Sequence, residues 1–280
     1  MRTVDAGLIA ERIAEACIGA CVDLPADVLA AISRAREAEE SPTGRKVLDE
    51  LIENARIARE DRVPICQDTG LALVFVTIGQ DVHIAGGSLS DAINEGVRRG
   101  YSDGCLRKSI VRHPLDRVNT GDNAPAVIHT EIVTGDGLRI IVAPKGGGSE
   151  NMSAAMMLKP SDGPEGVKRF VVETVRDAGS NPCPPVIVGV GLGGTIEKAA
   201  LLSKLAILRP VGQPSQNSIN AKLESDLLAA VNATGIGPAG LGGKITALAV
   251  HVESYPCHIA SLPVAVTLQC HAARHAEVLL

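Results

Sequence analysis

Pro64-Ile65-Cys66-Gln67-Asp68-Thr69-Gly70 runs without a break into Leu71-Ala72-Leu73-Val74-Phe75-Val76-Thr77. The first seven residues set a thiol, an amide, a carboxylate and a hydroxyl side by side between a proline and a glycine. The next seven are apolar and β-prone. A cysteine in a packed core has apolar neighbours, because it behaves there as a small hydrophobe. Cys66 is followed by polar chemistry instead, which presents a ligand or nucleophile at the lip of a sheet. This junction predicts a fold built on strands, with reactive side chains on the loop that leads into one of them.

Working outward, residues 82–85 form a second short strand, and a polar helix spans 88–100. Two further β-prone runs, 127–133 and 138–143, flank Thr134-Gly135-Asp136-Gly137, a turn sequence that predicts an antiparallel hairpin. The sheet is therefore expected to be mixed. Upstream, residues 3–60 are helical in pattern: Leu8, Ile9, Ile13 and Cys17, then Val28, Leu29 and Ile32, then Val47, Leu48, Leu51 and Ile52 recur at helical spacing. Ser41-Pro42 supplies an N-cap and a proline at the first helical position. Downstream, a Gly-, Ser- and Met-rich loop is expected over 145–163, and a helix over 164–178. A strand at 186–190 and helices at 194–207 and 217–233 follow, then a glycine loop at 235–243 and strands at 245–252 and 263–268. No repeat, low-complexity tract or linker divides the chain. The reading is one mixed α/β (α+β) domain over 1–280, helical over 1–60 and mixed over 61–280, with antiparallel hairpins in mixed sheets surrounded by helices.

The chain has 280 residues, 45% of them hydrophobic, yet only two Phe, two Tyr and no Trp. Its core must be aliphatic. A formal net charge of -5 gives no attraction to polyanions, and the lack of aromatics removes the platforms on which single-stranded nucleic acid stacks. No nucleic-acid partner is expected. The N-terminus lacks the apolar core of a signal peptide, and no apolar run reaches the roughly 18 residues of a membrane span. Neither a membrane association nor export is expected. Seven cysteines do not read as a disulfide framework. A cytoplasmic location fits, and there cysteines in unusual settings bind metals or act in catalysis.

Two more cysteines stand in such settings: Cys183 in Asn181-Pro182-Cys183-Pro184-Pro185, and Cys270 in Gln269-Cys270-His271-Ala272-Ala273-Arg274. With Cys66 they are too scattered for a local zinc pattern, whose ligands come in close pairs. Thiolates hold iron–sulfur clusters, normally four of them. Three would leave one iron open to a substrate oxygen, as a Lewis acid. By spacing alone, zinc, a thiol nucleophile and three structural cysteines remain open as well. Cys17 and Cys21, four apart on a helix, read as core, and Cys105 and Cys257 as structural. Gly189-Val190-Gly191-Leu192-Gly193-Gly194 matches the dinucleotide fingerprint in spacing, but no acidic side chain follows some twenty residues on, near Ser215. Close strand–helix packing, or backbone N–H groups facing an anion, is the better reading. Lys145-Gly146-Gly147-Gly148-Ser149 and Gly242-Gly243-Lys244 both lack the residue order of a phosphate loop.

The segments Pro64 to Gly70, Asn119-Thr120-Gly121-Asp122-Asn123, Lys145 to Asn151, Asn181 to Pro185, and His258 followed by Cys270 to Arg274 occur in order over nearly the whole chain. Together they resemble the α region of class I fumarases, the iron–sulfur hydro-lyases that include the two-subunit L-tartrate dehydratases. The glycine loop and the histidine-rich end resemble the fumarase branch more than the tartrate branch. The resemblance implies a 4Fe-4S cluster on Cys66, Cys183 and Cys270. It implies that Gln67 and Asp68 contact the substrate or its reacting hydroxyl, and that Arg107 clamps a carboxylate through its planar fork. Gly148 would let the backbone approach the substrate, and His258 would hydrogen-bond near it. Each has a plainer reading: Asp68 as a turn carboxylate, Arg107 as a surface charge, Gly148 as a turn glycine, His258 as a core histidine.

The reaction this implies is the reversible hydration of fumarate to malate, a step of the tricarboxylic acid cycle, on a small dicarboxylate substrate. Arginines would stabilise the enediolate-like charge, and a general base would take the proton. L-tartrate dehydration is the alternative, and a non-catalytic iron–sulfur redox sensor a more distant one. In single-chain relatives a C-terminal swivelling domain supplies a catalytic threonine with further Arg and Lys contacts. This sequence reaches Leu280 soon after Cys270, the third implied cluster ligand, so the resemblance implies an α subunit completed by a separate β subunit in a symmetric hetero-oligomer. Asp68 would then support the partner's base, or be the base itself.

Overall fold

A computed structural model describes residues 2–280 and has the mixed α/β architecture expected. In chain order the elements of the first half are β1 (Arg2–Asp5), α1 (Ala6–Val22), α2 (Ala26–Ala38), α3 (Pro42–Asp61), β2 (Leu71–Gly79), β3 (Val82–Ala85), α4 (Leu89–Asp103), β4 (Val127–Val133) and β5 (Leu138–Lys145). The second half runs α5 (Gly147–Glu150), β6 (Ala154–Leu158), α6 (Gly163–Ala178), β7 (Val186–Gly193), α7 (Ile196–Ala206), α8 (Ser218–Asn232), β8 (Ala247–Tyr255), β9 (Leu262–Gln269) and β10 (Ala276–Leu279). Two compact units result. One comprises the chain up to Leu24, Ala55–Gly147 and Arg274–Leu280; the other comprises Pro25–Asn54 and Gly148–Ala273. Two of the four crossings between them fall inside helices, α3 and α5, and the sequence carries no linker to mark them.

In the first unit the sheet order is β10-β5-β2-β4. β2 is parallel to β4 and antiparallel to β5. The expected hairpin between β4 and β5 is therefore not formed, because β2 lies between them. A local turn signature competes here with burial: β2 and β5 are apolar along nearly their whole length and take central places, whereas β4, carrying Thr130 and Glu131, is left at the edge. The Thr134–Gly137 segment instead wraps the end of β2. Gly79 makes that possible, since a Cβ there would lie 2.2 Å from the Gly135 carbonyl oxygen. Residues 6–38 are apolar enough by length and composition to cross a membrane, but they are two helices parted at Asp23-Leu24-Pro25. α1 directs Ile9, Ile13, Cys17 and Cys21 into a core with Val74, Val76, Ile93, Val97, Ile140 and Val142. Asp5 caps it, accepting the N–H groups of Gly7 and Leu8.

In the second unit the order is β6-β9-β7-β8, with β7 parallel to β8 and antiparallel to β9. β6 falls inside the stretch expected to be only loop. Its exposed Met156 and Met157 concealed it, because an edge strand need not alternate cleanly. The glycines of 189–194 do what close packing requires: a Cβ at Gly191 would sit 1.9 Å from the Ala199 carbonyl of α7, and one at Gly189 2.2 Å from that of Ser203. Residues 25–54 are tied into this unit by the buried Glu39. Its carboxylate accepts the backbone N–H groups of Glu40, Ser41, Lys244 and Ile245, each at 2.9 Å.

Candidate metal centre

In the first unit, the loop that enters β2 is held from all sides. Ile65 is buried and donates its N–H to the Cys21 carbonyl at 2.9 Å. Cys66 follows, half-buried, its Sγ 3.5 Å from Gln67 Oε1. Gln67 is exposed. Asp68 accepts the Gly70 N–H on Oδ1 at 2.9 Å and the Gly147 N–H on Oδ2 at 2.8 Å, so both carboxylate oxygens fix backbone. The plainer reading of Asp68 as a turn carboxylate thus describes its contacts, whatever else it does. Thr69, buried, donates its hydroxyl to the Arg107 carbonyl at 3.0 Å. That contact anchors the Arg107 backbone beside the loop and leaves its side chain exposed.

Three residues without an assigned role complete this support. The Tyr101 hydroxyl donates toward the carbonyls of Thr69 and Gly70 at 2.8 and 3.1 Å. Asn123, 0% exposed and at φ 59°, donates to the Gly70 carbonyl at 3.2 Å. Its Oδ1 accepts the N–H groups of Ser109 and Ile110 at 2.6 and 3.2 Å. Arg274 donates through Nη2 to the Asp68 carbonyl and through Nε to that of Pro144. The sequence clues were a tyrosine in a chain nearly free of aromatics, an asparagine suited to the left-handed region, and the places of Asn123 and Arg274 at the ends of two of the segments that carry the resemblance.

In the second unit, Cys183 and Cys270 emerge at the same end of one strand pair. β7 begins three residues after Cys183, β9 ends one residue before Cys270, and Ile187 is in register with Gln269. His271 joins the two segments: its N–H reaches the Cys183 carbonyl at 3.4 Å and its Nδ1 lies 3.0 Å from the same oxygen, which makes Nδ1 the protonated ring nitrogen. Cys183 is exposed, at φ 55°, with its N–H bonded to the Ser180 carbonyl. A Cβ on Gly148 would lie 3.2 Å from the Asn181 carbonyl, so that glycine lets backbone pass close to the Cys183 loop. The Gln269 Oε1, next to Cys270, is buried without a hydrogen-bond partner.

His258 is not at that end. Tyr255, the last residue of β8, is in register with Gly193, the last of β7, and the turn that follows carries His258. Seven strand steps at roughly 3.3 Å separate it from the cysteine end, about 23 Å. It is exposed, so it is not a core histidine, and its Nδ1 accepts the Ala260 N–H at 3.1 Å. With Cys257, Lys198, Thr195 and Tyr255 it lines an open cavity of ≈ 640 Å³.

Cys105 and Cys257, read from the sequence as structural, are exposed, whereas Cys17 and Cys21 are set apart by burial. It pushes the Cys17 thiol far above its ordinary range and that of Cys21 up to about 11, so both stay protonated core sulfurs. Among the described residues no three His, Cys, Asp or Glu side chains are gathered as a ready-made metal site. Cys66 belongs to one unit, and Cys183 and Cys270 to the other. As donors the three suit a thiophilic centre: each is on a loop, each is at least partly exposed, and two are tied together by backbone.

Comparison with known proteins places this chemistry among the hydro-lyases. A family model described as fumarate hydratase (fumerase) matches residues 10–279, and the chain belongs to that family, the class I group whose members use an iron–sulfur cluster. A protein of Methanocaldococcus jannaschii that carries the provisional name L(+)-tartrate dehydratase subunit alpha is 44% identical over 274 residues, covering 96% of each chain. The L(+)-tartrate dehydratase subunit alpha of Escherichia coli O157:H7 is 36% identical over 261 residues, covering 92% of this chain and 86% of its own. That of Escherichia coli K12 matches to the same extent.

Proposed function

We propose that the chain is the α subunit of a 4Fe-4S hydro-lyase that dehydrates a four-carbon hydroxy-diacid, with L(+)-tartrate as its first substrate. The observation that carries this is 36–44% identity, over nearly the full length of each chain, to proteins named as α subunits of L(+)-tartrate dehydratase. It moves the preferred substrate from fumarate, favoured by the glycine loop and the histidine-rich end, to tartrate. Fumarate hydration stands as the second reading, on those motifs and on the family match itself.

Cys66, Cys183 and Cys270 are the residues that would hold the cluster, and their thiolate chemistry suits it. When bound, it supplies a Lewis acid for the departing hydroxyl. The chain's own side chains supply part of the rest. Arg107, exposed and anchored through its carbonyl, offers a bidentate grip on a carboxylate. Gln67 offers an amide beside Cys66. Asp68, with both oxygens on backbone N–H groups, holds the loop's shape and supports a base supplied from elsewhere. Gly148 keeps the Cys183 loop and the glycine loop close. His258, at the other end of its sheet, is not assigned to the cysteine end of its own unit. A separate β polypeptide completes the site in a hetero-oligomer, in the cytoplasm.

The test is to co-express the chain with a β-type partner, reconstitute the pair anaerobically with iron and sulfide, and assay L(+)-tartrate, fumarate and malate side by side. Tartrate turnover at least about tenfold above that of fumarate is expected, the discrimination that roughly 1.4 kcal/mol supplies. The reverse ranking establishes the second reading, and a loaded cluster with no turnover of any substrate overturns both.

A further inference from the structure

β4 is an unprotected edge strand. It closes the order β10-β5-β2-β4, and it runs parallel to β2 in unbroken register over Val127–Val133. The Val133 carbonyl accepts the Gln80 N–H at 2.8 Å. Val133 and, by alternation, Glu131, His129 and Val127 therefore direct their backbone groups at β2. Ile128, Thr130 and Ile132 direct theirs outward, where they meet no hydrogen-bond partner among the described residues. Natural edges are blunted by lysine, proline, a bulge or a covering element. β4 carries no lysine, proline or bulge over its seven residues. Nor is it covered: Val127, Thr130, Glu131, Ile132 and Val133 are exposed, Ile132 at 73%.

The residues of the strand say what fits it. Val127-Ile128-His129-Thr130-Glu131-Ile132-Val133 reads the same from either end, save that histidine and glutamate exchange places. Laid antiparallel against a second copy about Thr130, it sets Val127 opposite Val133, Ile128 opposite Ile132 and His129 opposite Glu131. An imidazole N–H facing a carboxylate is complementary in either protonation state of the ring. The backbone agrees. Thr130 meets Thr130 of the second copy as a hydrogen-bonded pair, and the outward groups of Ile128, Thr130 and Ile132 are all used, in roughly six hydrogen bonds. His129 then faces Glu131 in the closer, non-bonded pairs. Phe75 stacks on His129, ring centroids 5.2 Å apart, and holds the imidazole on that face. A slip of two residues in either direction sets His129 against His129 or Glu131 against Glu131 and removes both mixed pairs, so the register is specified. We propose that β4 pairs antiparallel with β4 of a second copy of this chain, about a two-fold axis at Thr130, so that two four-stranded sheets become one. The contact is isologous, as closed two-fold symmetry requires. Neither the cluster nor the substrate enters into it.

The full chain, alone and with its β-type partner, is followed by analytical ultracentrifugation from roughly 1 to 100 μM, where interfaces of modest area associate. Amide hydrogen exchange is read at Ile128, Thr130 and Ile132, and thermal melts report folding separately. The wild-type chain is expected to dimerise, with those three amides protected. Thr130→Pro removes an outward N–H and leaves the β2 ladder intact, and Ile132→Lys sets a charge against Ile128. Each is expected to weaken dimerisation about tenfold or more. Glu131→Lys is expected to weaken it as well, and His129→Glu combined with Glu131→Lys to restore it, because the mixed pair is then reversed. Thr130→Cys should yield a disulfide-linked dimer on mild oxidation, its two Cα atoms falling about 5.5 Å apart, while wild type and Ile132→Cys should not. A chain that stays monomeric over the whole range, or a dimer that these variants leave unchanged, overturns the proposal. So does exchange at the three amides that slows only when the β-type partner is added, which would make β4 the seat of that polypeptide. If Thr130→Pro fails to fold, Ile132→Lys, at a side chain already in solvent, still decides.

Discussion

The loops at 64–70 and 256–261 each set a cysteine beside a polar side chain, Cys66 with Gln67 and Cys257 with His258, and the fold treats them in opposite ways. The first is fixed by Tyr101, Asn123 and Arg274 and by the outward contacts of Thr69 and Asp68. The second is bonded mostly within itself, through Ala260 to His258, Ser261 to His258 and Cys257 to Ser261. Its outside tie is the Gly194 N–H on the Pro256 carbonyl at 3.2 Å. A reactive group is useful when its neighbours hold it to a fraction of an ångström. That support, rather than the residue types themselves, sets the two loops apart.

The sharpest way to break this contrast is a pair of serine substitutions. Cys66→Ser should abolish cluster uptake and lower turnover at least a hundredfold, whereas Cys257→Ser should leave iron content and activity within twofold of wild type. Equal losses in the two variants would show that loop support is no guide to ligation here. Asp68→Asn comes next. A lost general base costs on the order of 10²–10⁴ in rate, but a carboxylate that serves to hold backbone should cost about tenfold in kcat, with the pH–rate profile keeping its shape. A hundredfold loss together with a vanished acid limb would make Asp68 the base.

Stability effects are smaller and follow the hydrogen bonds. Asn123→Ala removes one of two donors from the buried Gly70 carbonyl and leaves the partly exposed Ser109 and Ile110 N–H groups without their side-chain acceptor, which should cost about 1–3 kcal/mol in urea unfolding. Tyr101→Phe removes a single hydroxyl and should cost about 1–2 kcal/mol. His258→Ala, in the self-contained loop, should fall within about 0.5 kcal/mol of wild type. If His258→Ala destabilises the chain more than Tyr101→Phe, the ranking of the two loops is wrong.

What the sequence made legible was whatever depends on near neighbours. The three N-terminal helices follow from apolar spacing, β2 from its run of Leu, Val and Phe, the core status of Cys17 and Cys21 from their place on one helix face, and the packing role of Gly189 and Gly191 from a fingerprint missing its acidic partner. What stayed hidden depends on remote pairing. The turn sequence at 134–137 is a local signal, and it could not announce that β2 would insert between its flanking strands. Nothing near Asn123 in the chain points to the Gly70 carbonyl, 53 residues away, and Arg274 meets Asp68 across 206 residues. The place of His258 was hidden for the same reason: a motif gives order along the chain, while the end of the sheet on which a residue lands is set by strand direction.

The one pH-dependent effect expected concerns β8, the strand that feeds the second loop. His251 is buried there, its Nδ1 3.1 Å from the Ala206 carbonyl. Burial, helped by the Arg209 charge, holds its pKa below the ordinary 6.5, against the opposing influence of Glu224, the Ala206 bond and Asp27. Below about 6.5 the unfolded chain therefore binds a proton that the folded chain does not, and stability falls as the pH is lowered from there toward the folded-state pKa. One such group contributes at most about 1.4 kcal/mol per pH unit. In urea titrations between about pH 7.5 and 5, the range in which histidine charge changes, His251→Gln should flatten the acid-side loss, because glutamine keeps a donor for the Ala206 carbonyl and has no proton to take up. An unchanged slope would place the acid sensitivity elsewhere and leave the strand under 256–261 as firmly held as the one entered through Cys66.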